Sequence, residues 1–402
     1  MPDRTRIPAE SPVAMVAHRL VVTLINLEMH DPRGQLVQDS ARRTTEQIVT
    51  AIDRDPTASI TIAVRDGCLY HGDELLLGST LQAARLIALC SERSIDGLRF
   101  GAQTTPHELL AFLLLLCDEG KRDALHPARA ATLLQAAGIE HITVLAESAD
   151  APRLDSQTSD TVSKYQALSG CLQESHVAAS RGHDLEIEKA CGIIESALSK
   201  VNAPAGLLAL ASHHFIDSFT VGHSVRVALL ALQVAAAGGA SRENLIRIGT
   251  AALLHDIGKS RIPQEVLFKQ GRLTDEEREI MARHPRLGGE VLLEQPNLDP
   301  GAIGAAFCHH MSPAGGYPQP TLAFEPSPVS KLVRVCDVFE ALTAVRPYKK
   351  ALTPLEAYAV MFRDERDFDQ AWLRFFVQAM GIYPQGTFLS LDTGEVALVV
   401  GP

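Results

Sequence analysis

The feature that most constrains this chain is the run "ENLIRIGTAALLHDIG", residues 243–258. Leu245, Ile248, Ala252 and Leu253 recur at helical spacing, so one face of that helix must be buried. At the end of the buried face stand His255 and Asp256, just before Gly258, where the helix is expected to stop. An imidazole and a carboxylate buried without partners cost several kcal/mol, on the order of a lost hydrogen bond or more each. A bound cation, or other polar groups brought to the same place, must offset that cost.

The neighbouring sequence supplies such groups. His223 lies in "TVGHSVRVALLALQV", an amphipathic helix with Val225, Ala228, Leu229 and Leu232 on its apolar side. Thr274 and Glu277 form a capping box that opens another helix. Ile280, His284, Leu287 and Val291 fall on one stripe of it, and Pro285 is expected to kink it immediately after His284. The pair His309–His310 ends the helical "GAIGAAFCHH", and Asp337 sits inside the apolar helix "VSKLVRVCDVFEALTA". Five imidazoles and two carboxylates on five buried helical segments read as a two-metal centre. Mixed nitrogen and oxygen ligands suit Fe, Mn or Zn better than Mg or Ca. No cysteine spacing suggests a structural zinc site. Two ions roughly 4 Å apart clamp the attacking and leaving oxygens of a phosphoryl transfer. The competing reading is a helical core whose polar residues satisfy one another. His18, His30, His71, His107, His126, His141, His176 and His183 stand alone and read as ordinary surface or core residues.

A chain of 402 residues is too long for one compact core. The pattern predicts an α+β multidomain protein. Residues 1–147 read as a mixed α/β domain. Its helices are expected at 13–28, 41–53, 79–94 (with Ser79 or Thr80 as N-cap), 105–120 and 126–138, and its strands at 59–64, 66–77 (a hairpin), 96–100 and 141–145. No catalytic motif is visible there, so a regulatory or partner-binding role is expected. Residues 148–163 are polar and read as a linker. Residues 164–380 read as almost wholly helical, and 381–402 as a terminal β-hairpin around "DTG". The segment 184–203 is either a dimer seam or a core helix, and the core reading is preferred.

Seven dispersed cysteines without a CxxC pair read as reduced thiols. The start of the chain lacks the apolar core of a secretion signal, and the longest apolar run is taken to be 109–117. The formal net charge of −11 argues against binding nucleic-acid polymers or anionic membranes. A cytoplasmic protein is expected, with no DNA, RNA or membrane partner.

The motifs "HDIGK", "HH…GYP" and "CDVFEALTAVRPYKKALTPLEA" resemble the HD-GYP branch of the HD phosphohydrolase superfamily, over about Asp217 to Tyr358. The resemblance implies an all-α domain with a binuclear or trinuclear metal site that hydrolyses cyclic di-GMP to the linear dinucleotide or on to GMP. The implied metal ligands are His223, His255, Asp256, His284, His309, His310 and Asp337, with Asp256 bridging. Lys259 would contact the scissile phosphate or protonate the leaving oxygen, which makes Asp256 and Lys259 the catalytic pair. Arg346 and Lys349 would hold ligand phosphates, and Tyr317 would stack on or abut a guanine.

The chain also departs from that branch. Where the branch has a pattern close to HHExxDGxGYP, this chain has "HHMSPAGGYP", one residue shorter. Met311 and Ala314 replace two acids of that pattern, and Glu340 stands where a second aspartate is common. Phe219 occupies the position of a ligand used by trinuclear members, so two divalent ions are expected, Fe or Mn. The leading expectation is a metal-dependent phosphodiesterase of a cyclic dinucleotide. The alternatives are a receptor that binds cyclic di-GMP without turning it over, and an HD phosphohydrolase of another nucleotide. A homodimer and a signalling partner on the N-terminal domain are left open.

Overall fold

Alternating apolar residues in "SITIAV" do form a strand, and its inward side chains Ile60 and Ile62 are almost fully buried. A computed structural model describes residues 11–52, 58–146, 156–198, 220–269, 271–312, 314–319, 324–344, 351–363, 366–384 and 387–399. The chain divides into two units, residues 1–156 and 157–402.

In the first unit, helices α1 (Pro12–Met29) and α2 (Gln35–Ile52) precede β1 (Ser59–Arg65), β2 (Cys68–His71) and β3 (Glu74–Leu75). Then come α3 (Leu77–Gln82), α4 (Ala84–Glu92), β4 (Gly97–Gly101), α5 (Pro106–Cys117), α6 (Pro127–Ala136) and β5 (Ile142–Leu145). The strands make one antiparallel sheet in the order β3-β2-β1-β4-β5. Ser79 and Thr80 are not N-caps, because the helix starts earlier, at Leu77, and breaks at Ala83. Instead Ser79 Oγ donates to the Ala14 carbonyl (3.0 Å) and Thr80 Oγ1 accepts from Leu69 N–H (2.9 Å), tying α3 to α1 and β2. Among the described residues α1, not 109–117, is the helix long and apolar enough to cross a membrane by length and composition. In this fold Val16, Ala17, Leu20 and Leu24 of α1 are fully buried in the core.

The second unit begins with α7 (Ser156–Ser180), so residues 156–163, read as linker, are already helical. It continues with α8 (Ile187–Ala197), α9 (Thr220–Ala237), α10 (Arg242–Leu254), α11 (Gln264–Leu267), α12 (Asp275–Met281), α13 (His284–Leu293) and α14 (Pro300–Cys308). After a short hairpin, β6 (Met311–Ser312) and β7 (Gly315–Gly316), come α15 (Pro328–Thr343), α16 (Pro354–Met361) and α17 (Gln370–Met380). The terminal hairpin pairs β8 (Phe388–Ser390) with β9 (Val396–Leu398), as the alternation predicted. Helix α8 is a core helix: Ile194 is fully buried, and a Cβ at Gly249 of α10 would come 2.8 Å from its Cγ2. Helices α9, α10, α14 and α15 pack in succession, and α13 packs on α14. Leu229, Leu232, Leu253, Leu254 and Leu332 are fully buried between them, each contributing about 1.5–3 kcal/mol of transfer free energy. All seven cysteines are free, five of them buried.

Candidate metal centre

Two helix boundaries differ from expectation, and both place ligating atoms. Helix α10 ends at Leu254, not at Gly258. His255 caps it, and Ile257–Arg261 form a 3-10 turn. The tighter turn carries Asp256 around toward α13. Gly258 permits this, because a Cβ there would fall 2.0 Å from the His284 carbonyl and 2.3 Å from Gly288 N. Pro285 does not kink a continuous helix. Helix α12 stops at Met281 and α13 starts afresh at His284, with Pro285 in the first turn, where its missing N–H is not needed. His284 therefore projects from a helix start, and His309 from the end of α14.

Four imidazoles are tethered in the same way. The Nδ1 of His255 donates to the Ala252 carbonyl (2.7 Å), and that of His284 donates to Met281 O (2.8 Å). The Nδ1 of His309 is shared between Ala305 O (3.1 Å) and Ala306 O (2.9 Å). His223 Nδ1 donates to the Glu340 carboxylate, whose other oxygen accepts from Arg226 Nε (2.6 Å). A carbonyl only accepts, so the tethers of His255, His284 and His309 fix the Nδ1–H tautomer and turn a bare Nε2 inward. Such a hydrogen bond behind each ring is how metal-ligating histidines are oriented.

The Nε2 atoms converge on Asp256, which is 1% exposed. His223 Nε2 and His255 Nε2 lie 3.6 and 3.5 Å from its Oδ2. His284 Nε2 and His309 Nε2 lie 3.2 and 3.6 Å from its Oδ1, and 3.1 Å from each other. With both Nδ1 atoms protonated, those two Nε2 atoms present lone pairs to each other and to a carboxylate. Asp256 Oδ1 and His255 Nε2 are buried and have no hydrogen-bond partner among the described residues. Asp337 completes the ring, with Oδ1 3.0 Å from His223 Nε2 and Oδ2 3.9 Å from His310 Nδ1. Two sets of atoms lie close enough to hold an ion: His223, His255 and Asp256 on one side, and His284, His309 and His310 on the other. The donor sets therefore fit metal cations.

Electrostatics reinforce this picture. Burial, opposed by the Asp256 charge, pushes the His255 imidazole down to about 3. Burial likewise lowers His284, and lowers His310 to about 2. These rings are neutral at ordinary pH, as ligands must be. Burial would raise Asp256 and Asp337, but neighbouring charges win. Lys259 and His255 hold Asp256 far below the usual carboxylate range, and His223 does the same for Asp337. Burial would lower His223, yet Glu340 and Asp337 raise it to about 9.

The remaining expected residues divide. Lys259, 20% exposed, donates to Asp256 Oδ2. Tyr317 lies against the centre, its ring 4.7 Å from that of His310 and 6.3 Å from that of His284. The shortened loop makes this contact through its hairpin: Tyr317 N–H donates to His310 O (3.3 Å). Gly316 has φ 93°, and a Cβ on it would fall 2.2 Å from His310 O, so only glycine fits. Phe219, Arg346 and Lys349 lie outside the described residues.

Arg226 carries no signal in the sequence analysis, and Glu340 enters it only as a departure from a pattern. Arg226 and Glu340 lie three residues after His223 and Asp337 respectively, on the same helix faces, a spacing that could have revealed them. His176, read as a lone histidine, is 5% exposed and has Nδ1 tied to Leu172 O (2.9 Å). Its buried Nε2 has no partner among the described residues, and the charges of Asp256 and Lys259 reach it.

The HD domain family model matches residues 207–371. This stretch is similar to HD domains. Among curated proteins, the cyclic di-GMP phosphodiesterase PA4108 of Pseudomonas aeruginosa is 34% identical over 224 residues, 55% of this chain and 54% of that protein. The cyclic di-GMP phosphodiesterase response regulator RpfG of Xanthomonas campestris is 40% identical over 36% of this chain and 39% of its own length. The 3'3'-cGAMP-specific phosphodiesterase 3 of Vibrio cholerae is 32% identical over 36% of this chain and 31% of its own. The chain thus spans about half the length, or less, of these relatives. Similarity to an HD domain accounts for the His255–Asp256 pair as the core of the site.

Proposed function

We propose that the HD domain hydrolyses a phosphodiester bond of a cyclic dinucleotide, cyclic di-GMP, to the linear dinucleotide or GMP at a two-metal centre. The observation that carries this reading is the convergence of inward Nε2 lone pairs on both oxygens of the buried Asp256. Polar core residues satisfying one another would not leave His255 Nε2 and Asp256 Oδ1 without partners, whereas divalent ions would bind both. The names of the relatives support the choice of a cyclic dinucleotide.

In this reading His223, His255, Asp256 and Asp337 would hold one ion, and His284, His309 and His310 with Asp256 would hold the other. Iron or manganese suits the five imidazoles and two carboxylates. When bound, the pair supplies Lewis acidity at the phosphate and lowers the pKa of a nucleophilic water. Asp256 keeps the two sites in register. Lys259, at the rim of the centre, supplies a cation to the scissile phosphate or a proton to the leaving oxygen. Tyr317 abuts a guanine, and Arg346 and Lys349 hold phosphate oxygens. The N-terminal unit is read as a regulatory module for a signalling partner.

The test is to purify the protein anaerobically, incubate it with cyclic di-GMP and follow the products by chromatography, with Asp256→Ala as control. Turnover by the wild type alone supports the reading. Metal and ligand binding without turnover makes the domain a receptor and contradicts it.

A further inference from the structure

Behind the shortened loop lies a cavity of about 570 Å³, within the size range of small-ligand sites. It adjoins the metal centre along the chain: Met311 follows His310, and Arg334 sits three residues before Asp337 on α15. Its apolar walls are Cys308, Met311, Phe324 and Pro326, and Ser312 of strand β6 also lines it. A thioether and a phenyl ring facing a slot suit a flat aromatic guest.

The polar end of the cavity is selective. Lys331 is taken up by Glu325 (2.5 Å) and Asp369 (3.0 Å). Arg334 is held in place but keeps donors to spare. Its Nε donates to Asp367 O (3.0 Å), its Nη1 to His309 O (3.4 Å), and its guanidinium lies 5.1 Å over the Phe368 ring. One Nη1 hydrogen and both Nη2 hydrogens have no partner among the described residues. A preorganised guanidinium offers only donors. Guanine presents two adjacent acceptors, O6 and N7, to such a fork, while adenine presents a donor beside its N7.

We propose that this cavity receives one guanine base of the substrate, with Arg334 donating to its O6 and N7. The proposal deepens the reading of the HD domain as a cyclic dinucleotide phosphodiesterase and rests on it. It gives the altered loop a consequence. Met311 lines the slot with a thioether where the resembling branch carries an acid, so Arg334 has no carboxylate neighbour on that loop to engage it.

The test compares wild type, Arg334→Lys and Ser312→Trp, all metal-loaded, on cyclic di-GMP, cyclic di-AMP and bis(p-nitrophenyl) phosphate, a diester with no base. Arg334→Lys removes the fork, and Ser312→Trp fills the slot from β6 without touching Arg334's partners. In both, kcat/KM for cyclic di-GMP should fall about tenfold or more relative to the base-free diester, chiefly through KM, and the preference over cyclic di-AMP should shrink. A parallel loss on all three substrates would mean that Arg334 acts only through the His309 carbonyl, and would overturn the proposal. So would a wild type that cleaves the base-free diester but does not prefer cyclic di-GMP to cyclic di-AMP. If no diester is cleaved, the reaction reading fails on its own. The cavity is then decided by titrating metal-free protein with GMP and AMP. Tighter GMP binding that is lost in Arg334→Lys supports the cavity, and equal binding of the two refutes it.

Discussion

Glu340→Gln is the sharpest probe of how the centre is held. Glu340 is 3% exposed and spans two cationic partners, accepting from His223 Nδ1 and from Arg226 Nε at 2.6 Å. Glutamine keeps the shape and one acceptor oxygen. It loses the charge and turns an NH₂ group toward His223 or Arg226, both of which are donors. Charge-assisted hydrogen bonds of this kind contribute roughly 1.5–3 kcal/mol each. His223 would lose its orientation and part of its basicity, which typically costs 10–100-fold in metal affinity, about 1.4–2.7 kcal/mol. The loss should fall on the ion held by His223, so limiting metal should load one site in the variant where it loads two in the wild type. Chelator-competition titration with Mn(II), alongside thermal melting of the metal-free protein, measures both effects. A variant that melts lower yet binds both ions within twofold of wild type would reduce Glu340 to a structural partner of Arg226, and the tethering argument would fail.

Three further outcomes follow from the geometry. Gly258→Ala forces a Cβ to within 2.0 Å of the His284 carbonyl and should cost more than about 2 kcal/mol while lowering bound metal; unchanged melting and metal content would contradict the close approach. Gly316→Ala adds left-handed backbone strain of about 1–3 kcal/mol and a clash with His310 O, so it should weaken metal binding by displacing His310 and Tyr317; wild-type affinity would contradict it. In the first unit, burial would raise Glu108, but hydrogen bonds from Glu140, Thr105 and His141 lower it to about 2. Its folded pKa lies below the unfolded value, so its contribution of up to about 3 kcal/mol is present above pH 4.5 and lost as pH falls toward 2; Glu108→Gln should flatten acid unfolding of that unit over this window.

The centre was legible because its residues are costly where they stand. His255, Asp256, His284 and Asp337 interrupt apolar helical stripes, and burial at such positions demands a partner. The helix boundaries were less legible. The periodicity of 243–258 continues through Gly258, but the chain tightens after Leu254 because Gly258 lets it press against α13. Pro285 carries the same local signal at a kink as at a helix start, and only the break after Met281 decides between them. Glu340 was visible as a departure from a pattern and by its spacing from Asp337; its contact with His223 joins α15 to α9. In the first unit, period-2 alternation located all five strands. It did not reveal that Ser79 and Thr80 face inward, because hydroxyls that cap helices also bridge elements.

The most direct test is an anomalous-difference map from crystals of the protein grown with Mn(II). Two peaks are expected, one beside each carboxylate oxygen of Asp256, ringed by His223, His255 and Asp337 on one side and by His284, His309 and His310 on the other. A map with no peak at Asp256, in which the Nε2 atoms of His284 and His309 still face each other, would contradict this expectation.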